Sequence, residues 1–411
     1  MLIMSIVNVI GLGYIGLPTA LIFAKNGIKV VGTDIDSNLV KTLSKGIAPF
    51  EEEGLEELFL QALSNGIEFT TNYQKTHTYI IAVPTPYIKE SKKLDPKYVI
   101  SAVNSVLDVC ESGALLIIES TISPGTIDKY IRPEIEKRGY VVGEDIHLLH
   151  APERIIPGNM IYELEFNSRT IGADNFEIGE KVKGLYSNFC KADIVVTDIR
   201  TAEMSKVVEN TFRDINIAFA NELARICRTD NMDVYEIIRI ANLHPRVNIL
   251  QPGPGVGGHC ISVDPWFLVG DYPDLTNLIL TARKTNDSMP SHVLGRIRDI
   301  MRENGIKDIS KVGLYGLAYK ENVDDTRESP TLQLLDRMDE HLAFGVKVFD
   351  PLVKKRIVDH QFMNFEDFLN EIEILVIMVG HEHIIDNFEL IKNKHVLDTK
   401  NICNIHKVYK L

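Results

Sequence analysis

The chain has 411 residues, which is long for a single hydrophobic core and predicts two or three domains. Its net charge of −13 argues against nonspecific binding to nucleic acid or acidic membranes, so an anionic ligand needs a local basic cluster. The five scattered cysteines form no CxxC pair, which argues against disulfides and structural metal sites and favours a cytoplasmic compartment; no apolar run is long enough to span a membrane.

Short β-branched runs alternate with helical stretches over the first part of the chain, which predicts a parallel sheet covered by helices on both faces. The candidate strands are Ile6–Ile10, Lys29–Thr33, Tyr79–Val83 and Leu115–Glu119.

A different pattern begins at Asp198, because the segment to Asn231 lacks Gly and Pro and is rich in helix formers. It predicts one long helix within a helical central region. Strand candidates return at Lys311–Tyr315, Val346–Asp350, Ile374–Val379 and His395–Asp398. The expected fold class is α/β, with two Rossmann-like parallel-sheet domains joined by a helical central region, and the expected boundaries are 1–195, 196–298 and 299–411.

The first candidate strand runs into a GxGxxG turn, formed by Gly11, Gly13 and Gly16. In a dinucleotide-binding turn these glycines allow the tight bend, the approach of a pyrophosphate and close packing of the following helix. Asp34 ends the next strand, at the spacing expected for an acid on the adenosine ribose, and no basic residue adjoins it. The pattern predicts NAD rather than NADP; the alternative is an ordinary glycine turn with a surface aspartate.

A glycine-rich loop, GPGVGGHCISVD, contains Cys260 after four glycines. Its glycines permit close approach of a ligand and supply amides that can hold an oxyanion. The adjacent His259 can activate the thiol, and Asp264 can orient water, so Cys260 is a candidate nucleophile. The alternative is an inert buried cysteine. Beside an NAD site, a nucleophilic cysteine predicts two successive hydride transfers from alcohol to acid, through a thiohemiacetal and a thioester.

Basic residues in three segments are candidates for binding an anionic substrate. Lys206, Asn210 and Arg213 share a face of the long helix, although from spacing alone a solvated face fits equally well. Arg246 precedes the cysteine loop, and Lys320 and Arg327 follow a strand of the last domain. Together they can offset the charge of a nucleotide diphosphate.

The chain resembles the UDP-glucose/GDP-mannose dehydrogenase family along nearly its whole length, through GLGYIGLP, VPTP, STISPGT, APERIIPG, GPGVGGHCISVDP and GLAYKENVDDTRESP. The resemblance implies an NAD-binding first domain, a central domain whose long helix forms a homodimer, and a UDP-sugar-binding last domain. Within the family, HPRVNILQPGPGVGGHCISVDPWFLV is most similar to members that oxidise UDP-N-acetyl-D-mannosamine. UDP-N-acetylglucosamine and UDP-glucose stay open as alternative substrates.

The resemblance also implies roles for individual residues. It makes Cys260 the nucleophile and Lys206 its acid/base partner, with support from Asn210, Asp264 and Glu153. The implied cofactor contacts, besides the glycines and Asp34, are Tyr14, Ile15, Thr85, Thr121, Thr126 and Arg327. The implied substrate contacts, besides Lys206 and Asn210, are Arg154, Ile155, Arg213, His244, Arg246, Gly255, Tyr319 and Lys320.

Two positions depart from the family pattern: Asn8 needs a local partner within the first strand, and Ser262 stands where relatives often have Ala or Pro. Two other functions were considered. A short-chain epimerase or dehydratase is disfavoured because none of the 14 tyrosines is followed four residues later by lysine. A non-enzymatic NAD-binding sensor would not need Cys260.

Overall fold

A computed structural model of the chain describes residues 6–258, 260–341, 343–404 and 408–411. The chain divides into two compact units, Met1–Glu209 and Asn210–Leu411, and the long helix α8 crosses the boundary. The expected division into three domains stays a prediction. Among the described helices, none is both long and apolar enough to cross a membrane.

The first unit alternates strands and helices, in the order β1 (Val7–Ile10), α1 (Gly16–Lys25), β2 (Val30–Thr33), α2 (Ser37–Leu43), α3 (Leu55–Ser64), β3 (Glu68–Thr70), β4 (Thr78–Ile81), α4 (Lys97–Leu107), β5 (Ala114–Ile118), a π-helical turn (Ile127–Ile131) continuing as α5 (Arg132–Lys137), β6 (Ile146–His150), α6 (Met160–Phe166), β7 (Arg169–Ala173), α7 (Phe176–Tyr186), β8 (Ile194–Thr197) and α8 (Ile199–Thr229). These strands form one sheet in the order β3-β2-β1-β4-β5-β6-β7-β8. Strand order reverses between β1 and β4, the position where open α/β sheets bind ligands.

One pair in this sheet, β6 and β7, is antiparallel, so β7 and β8 run opposite to the other strands. The connection carries only α6, a helix of seven residues. As a result of the antiparallel pairing, β7 starts from the edge of the sheet where β6 ends.

The second unit follows α8 with α9 (Val234–Ala241), α10 (Asp264–Asp271), α11 (Asn277–Asp287), α12 (Met289–Glu303), a 3-10 turn (Ile309–Lys311), β9 (Val312–Tyr315), α13 (Pro330–Glu340), β10 (Lys347–Phe349), β11 (Gln361–Phe362), α14 (Phe365–Glu371), β12 (Ile374–Ile377), α15 (Glu382–Asp386), α16 (Phe388–Ile391), β13 (His395–Asp398) and β14 (Val408–Lys410). Its parallel sheet has the order β11-β10-β9-β12-β13-β14. The two sheets and the intervening helices confirm the predicted fold class.

The central strands form because their residues are apolar and buried on both faces, as in β1, β4 and β12. Asn8 is the polar exception in β1. Its side-chain oxygen accepts a hydrogen bond from the hydroxyl of Thr33 on β2 at 2.8 Å, so the neighbouring strand supplies the expected partner.

Candidate active site

The turn after β1 has the geometry that a dinucleotide requires. Gly11 has φ of +87°, and a Cβ at Gly16 would lie 1.9 Å from the Gly11 carbonyl oxygen. Gly13 is exposed, and a Cβ built there would meet no described atom within 4 Å. The first residues of α1 carry no charge. The turn therefore leaves open space before a helix N-terminus, whose amides attract a pyrophosphate.

Asp34 fixes this turn from the end of β2. Its Oδ2 accepts a hydrogen bond from the Leu12 amide at 2.8 Å, and its Oδ1 accepts one from the Asp36 amide at 2.9 Å. The side chain is only half-buried, and each carboxylate oxygen has a further lone pair. The carboxylate can therefore still accept a hydrogen bond from a ribose hydroxyl.

The other predicted cofactor residues of the first unit lie after β1, β4 and β5. The ring of Tyr14 stacks on Phe50, with centroids 4.3 Å apart, and Ile15 directly precedes α1. Thr85 and Thr126 are buried, whereas Thr121 is half-buried. These residues follow adjacent strands of the sheet, as the sequence predicted, and their cofactor contacts stay predictions.

Replacing Gly13 with alanine tests the turn without disturbing the fold. Because the added methyl group meets open space, we expect the melting temperature to stay unchanged. Because that space is where a pyrophosphate approaches, we expect the KM for NAD to rise about tenfold or more. Steady-state kinetics with varied NAD measure the effect. Gly184→Ala, at another uncrowded glycine of this unit, is the control. An unchanged KM for NAD in Gly13→Ala would argue against this turn as the pyrophosphate site.

Lys206 on α8 is buried, with 6% of its surface exposed, and so is Asn210 one turn later. This burial rules out a solvated helix face. Within the described part of the chain, the Lys206 ammonium group makes no ion pair. A buried charge without a partner is costly, and such groups are retained mainly where they act on a ligand.

Glu203, one turn before Lys206, holds the loop after β5. Its buried carboxylate accepts hydrogen bonds from the amides of Gly125 and Ile127. Burial raises the pKa of Glu203 to about 7, although these two amides oppose the shift. Thr126 lies between the two amides, so Glu203 fixes the backbone around a predicted cofactor contact.

Glu153 belongs to a buried charge cluster that the sequence did not predict. One of its oxygens accepts a hydrogen bond from the Arg154 amide at 2.6 Å, and the other pairs with Arg169. The Arg169 guanidinium also lies 3.7 Å from Glu119 and packs against the rings of Tyr186 and Phe189, whose centroids are 5.0 and 4.9 Å from its central carbon. Arg169 therefore orients Glu153. The feature of the sequence that could have indicated this cluster is an arginine at the start of the apolar run RTIGA.

The pH dependence of stability tests this cluster. Burial, reinforced by the charge of Glu153, raises the pKa of Glu119 to about 8, against the opposing effect of Arg169. The contribution of this raised pKa to the free energy of unfolding is complete below the unfolded pKa of Glu119, near 4.5, and is lost as the pH rises to about 8. For each variant, the quantity to compare is the change in melting temperature from the wild type at pH 8 minus the same change at pH 5. We expect this difference to be larger for Glu119→Gln than for the exposed control Glu56→Gln by at least about 2 °C. A pH-independent difference would contradict the raised pKa.

Arg154 is tied down within the first unit. Its Nε donates to Glu209 at 3.0 Å, its Nη1 to the Ser168 carbonyl at 2.6 Å and its Nη2 to the Thr170 hydroxyl at 3.1 Å. The side chain of Ile155 is buried in the hydrophobic core. A substrate contact at Ile155 therefore has to use its backbone.

In the second unit, Cys260 begins the turn that leads into α10. Its carbonyl oxygen accepts hydrogen bonds from the amides of Val263 and Asp264, at 3.1 and 2.8 Å. The side chain is half-buried. Asp264 is buried, and its Oδ2 accepts a hydrogen bond from Asn210 at 2.6 Å. The fold thus joins Asn210 to the turn that carries Cys260, and the catalytic roles implied for both residues stay predictions. His259 lies outside the described residues.

The glycines of this loop are required by close packing against the segment that follows β9. A Cβ at Gly257 would lie 2.6 Å from the Glu328 carbonyl oxygen, and a Cβ at Gly258 would lie 2.8 Å from the ring of Tyr319. Gly255 has φ of +144°. The hydroxyl of Ser262 donates to the Gly258 carbonyl. The structure therefore brings Tyr319 against the loop that carries Cys260.

The remaining predicted residues differ in their surroundings. Arg327 forms a two-point ion pair with the buried Asp325, at 2.9 and 2.6 Å, and Lys320 is half-buried. Arg213, His244 and Arg246 are exposed, and the Arg246 amide donates to His244 Nδ1 at 3.3 Å.

A buried network that the sequence analysis missed supports the start of the cysteine loop. Asn221 accepts a hydrogen bond from the Gly253 amide at 2.8 Å and donates to Asn286 at 2.8 Å. Asn286 donates to Asp214 at 2.8 Å, and Asp214 pairs with Arg283 at 2.5 Å. Residues this far apart in sequence carry no local signal of their contact.

Comparison with known proteins covers both units. Three domain profiles of the UDP-glucose/GDP-mannose dehydrogenase family match the chain: the NAD binding domain at residues 5–190, the central domain at 200–288 and the UDP binding domain at 313–405.

Individual relatives match over nearly the full length. A UDP-N-acetyl-D-mannosamine dehydrogenase of Methanococcus aeolicus is 42% identical, over 96% of this chain and 91% of its own. An NDP-N-acetyl-D-galactosaminuronic acid dehydrogenase of Ralstonia nicotianae is 38% identical, over 98% and 97%. The solved UDP-N-acetyl-mannosamine dehydrogenase of Staphylococcus aureus has a TM-score of 0.88 at 39% identity and covers 99% of this chain and 98% of its own.

Proposed function

The chain belongs to the UDP-glucose/GDP-mannose dehydrogenase family and is an NAD-dependent UDP-sugar dehydrogenase, and we propose that its substrate is UDP-N-acetyl-D-mannosamine. The C6 alcohol is oxidised to a carboxylate. The overall reaction consumes one water and two NAD⁺ and forms two NADH. The glycine turn after β1 and Asp34 would hold NAD, which would supply the hydride acceptor for each oxidation.

Cys260 divides the oxidation into two steps. Its thiolate adds to the carbonyl carbon of the first-formed aldehyde, which gives a thiohemiacetal. Loss of a hydride from that carbon gives a thioester, and water then releases the carboxylic acid and restores the thiol. The position of Cys260 supports this role, because hydrogen bonds from the Val263 and Asp264 amides to its carbonyl oxygen hold it in one turn with Asp264.

Lys206, Asn210 and Asp264 handle charge and protons. The ammonium group of Lys206 stabilises the alkoxide and the thiohemiacetal oxygen, both of which are negatively charged. The amide of Asn210 holds an oxygen of the intermediate, and Asp264 orients Asn210 and the hydrolytic water. The hydrogen bond from Asn210 to Asp264, at 2.6 Å in the turn that begins at Cys260, is the observation that carries the proposal.

Glu153 assists the thioester step as a carboxylate oriented by Arg169, through the ion pair between them. Tyr319, Lys320, Arg154, Arg213, His244, Arg246, the Ile155 backbone and Gly255 contact the UDP-sugar. Arg327 contacts the cofactor. These roles follow the family resemblance.

The decisive assay measures NADH formed per sugar consumed. UDP-N-acetyl-D-mannosamine is compared with UDP-N-acetylglucosamine, UDP-glucose and a UDP-N-acetyl-D-galactosamine substrate, the last suggested by the name of the Ralstonia relative. Two NADH per sugar and the highest kcat/KM for the mannosamine substrate are expected. One NADH with an aldehyde product would refute the covalent route. A higher kcat/KM for another sugar would overturn only the substrate assignment, and binding of NAD without turnover of any of these sugars would favour a sensor.

We further propose that α8 pairs with α8 of a second copy. Val208, Phe212, Phe219 and Ile226 have 46%, 64%, 50% and 50% of their surface exposed. Their spacing of four and seven residues puts them on one face of α8. Apolar residues at interfaces between paired helices repeat at the same spacing. A two-fold axis matches such a stripe with itself.

Phe219→Glu tests this pairing. A charge on the stripe should convert a homodimer to monomer at micromolar concentration, as measured by light scattering after size exclusion. Phe176→Glu, at an exposed phenylalanine on α7, is the control and should leave the dimer intact. A wild-type protein that is monomeric at these concentrations would disprove the pairing.

A further inference from the structure

The segment Gly316–Asn322 follows β9 and carries Tyr319 and Lys320, two of the proposed substrate contacts. Its backbone bends sharply at both ends: Gly316 has φ of +99° and Asn322 has φ of +57°. A positive φ is available to glycine but uncommon for other residues, so contacts outside the loop help to hold Asn322 in this conformation.

Asp350, directly after β10, holds the beginning of the segment. Its Oδ2 accepts hydrogen bonds from the amides of Leu317 and Ala318, at 2.6 and 3.0 Å. Its Oδ1 accepts from the amides of Leu352 and Val353, at 2.8 and 3.0 Å. Burial alone would raise the pKa of Asp350, but hydrogen bonds from His381 and from these amides lower it to about 2. The carboxylate therefore stays ionised at neutral pH.

The first unit has a similar aspartate, which differs from Asp350 in its exposure. Asp34 ends the strand next to β1 and binds the Leu12 amide, as Asp350 follows the strand next to β9 and binds the Leu317 amide. Asp34 is half-exposed and can accept from a ribose, whereas Asp350 has only 4% of its surface exposed. The second acid is sealed, so its contribution is to the protein's own backbone.

His381, which follows β12, both seals Asp350 and holds the far end of the segment. It is 1% exposed, and its Nε2 lies 3.3 Å from Asp350 Oδ2. Its Nδ1 accepts a hydrogen bond from the Asn322 amide at 3.0 Å. Because an amide only donates, Nδ1 carries no proton, and the ring's hydrogen on Nε2 is directed to Asp350.

We infer that the buried His381–Asp350 pair is a positioning device that clamps the segment at residues 317–318 and 322 and so presents Tyr319 and Lys320 to the UDP-sugar. The inference rests on the proposed function, because it needs these two residues to contact substrate. Clamping on both sides removes conformational entropy before the substrate arrives, which lowers the cost of binding. The same clamp holds Tyr319, whose ring packs on Gly258.

The test compares four variants for their dissociation constants for UDP by calorimetry and their KM and kcat for the UDP-sugar. His381→Gln keeps a donor near Asp350 but loses the acceptor for the Asn322 amide, and we expect both the dissociation constant and the KM to rise about tenfold. His381→Asn returns an acceptor at the Nδ1 position, and we expect it to stay within about threefold of wild type. His383→Asn removes a neighbouring histidine that contacts Tyr315 and should match wild type. Throughout, the KM for NAD should not change.

Lys320→Ala distinguishes the proposed substrate role of the segment from the proposed positioning role of His381. If it leaves UDP-sugar binding unchanged, the proposed substrate role of the segment is wrong. If it weakens binding while His381→Gln does not, the positioning role is wrong. Hydrogen exchange over residues 317–323 gives a readout independent of activity: exchange should be faster in His381→Gln and near wild type in His381→Asn. Unchanged exchange in His381→Gln, or equally fast exchange in both variants, would overturn the inference.

Discussion

Cys260→Ser is expected to lower kcat by about 10³-fold or more, with little change in the melting temperature. A serine hydroxyl is far less acidic than a thiol and is rarely ionised at neutral pH, so it does not trap the aldehyde. The half-buried position of Cys260 accommodates the smaller oxygen atom without a large packing defect.

Rapid-mixing experiments show where the reaction of this variant stops. With enzyme in excess over substrate, the wild type should form two NADH per sugar, and Cys260→Ser should form at most one. Cys403→Ser, at another half-buried cysteine, is the matched control and should keep wild-type turnover. If Cys260→Ser still forms two NADH per sugar at the wild-type rate, the thiol is not the nucleophile.

Lys206→Met is expected to lower kcat by about 10²- to 10⁴-fold, because it removes both the charge and the exchangeable proton from the intermediates. The thermal stability of this variant, unlike its kcat, should not fall. The ammonium group is buried and has no ion-pair partner within the described residues, so an apolar side chain of similar length relieves an unfavourable burial. The melting temperature of Lys206→Met should equal or exceed that of the wild type.

The combination of lost activity and retained stability distinguishes a catalytic lysine from a structural one. Lys181→Met, at an exposed lysine on α7 that pairs with Glu177 at 3.1 Å, is the control and should change neither quantity. A large fall in the melting temperature of Lys206→Met would indicate a structural role. Unchanged kcat would remove Lys206 from the mechanism.

Features that depend on neighbours in sequence could be predicted from the sequence. The predicted strands coincide with β1, β2, β4, β5, β9, β10, β12 and β13 within two residues at each end. The long helix, predicted from Asp198 to Asn231, extends over Ile199–Thr229. The turn at Gly11, Gly13 and Gly16 was predictable because its glycine spacing is a local sequence pattern, whereas the packing of Gly11 and Gly16 against Ala82 after β4 is visible only in the structure.

The tertiary structure decided the state of the charged groups. Spacing left Lys206 as either a solvated or a functional residue, and only the packing around α8 shows that it is buried. Arg169 has the sequence pattern of an ordinary strand residue, yet it lies beside the carboxyl groups of Glu119 and Glu153, which are 50 and 16 residues away in the sequence. His381 and Asp350 carry no motif, and they meet because β10 and β12 flank β9.

The physical reason for this division is the range of the interactions. Backbone dihedral preferences and the periodicity of apolar residues act over a few positions, so the sequence by itself determined those eight strands, the long helix, the dinucleotide turn and the family of this protein. Burial and charge pairing depend on which elements the sheet order brings together. That order fixed the ionisation of Glu119, the isolation of the Lys206 charge and the clamp on the Tyr319 segment.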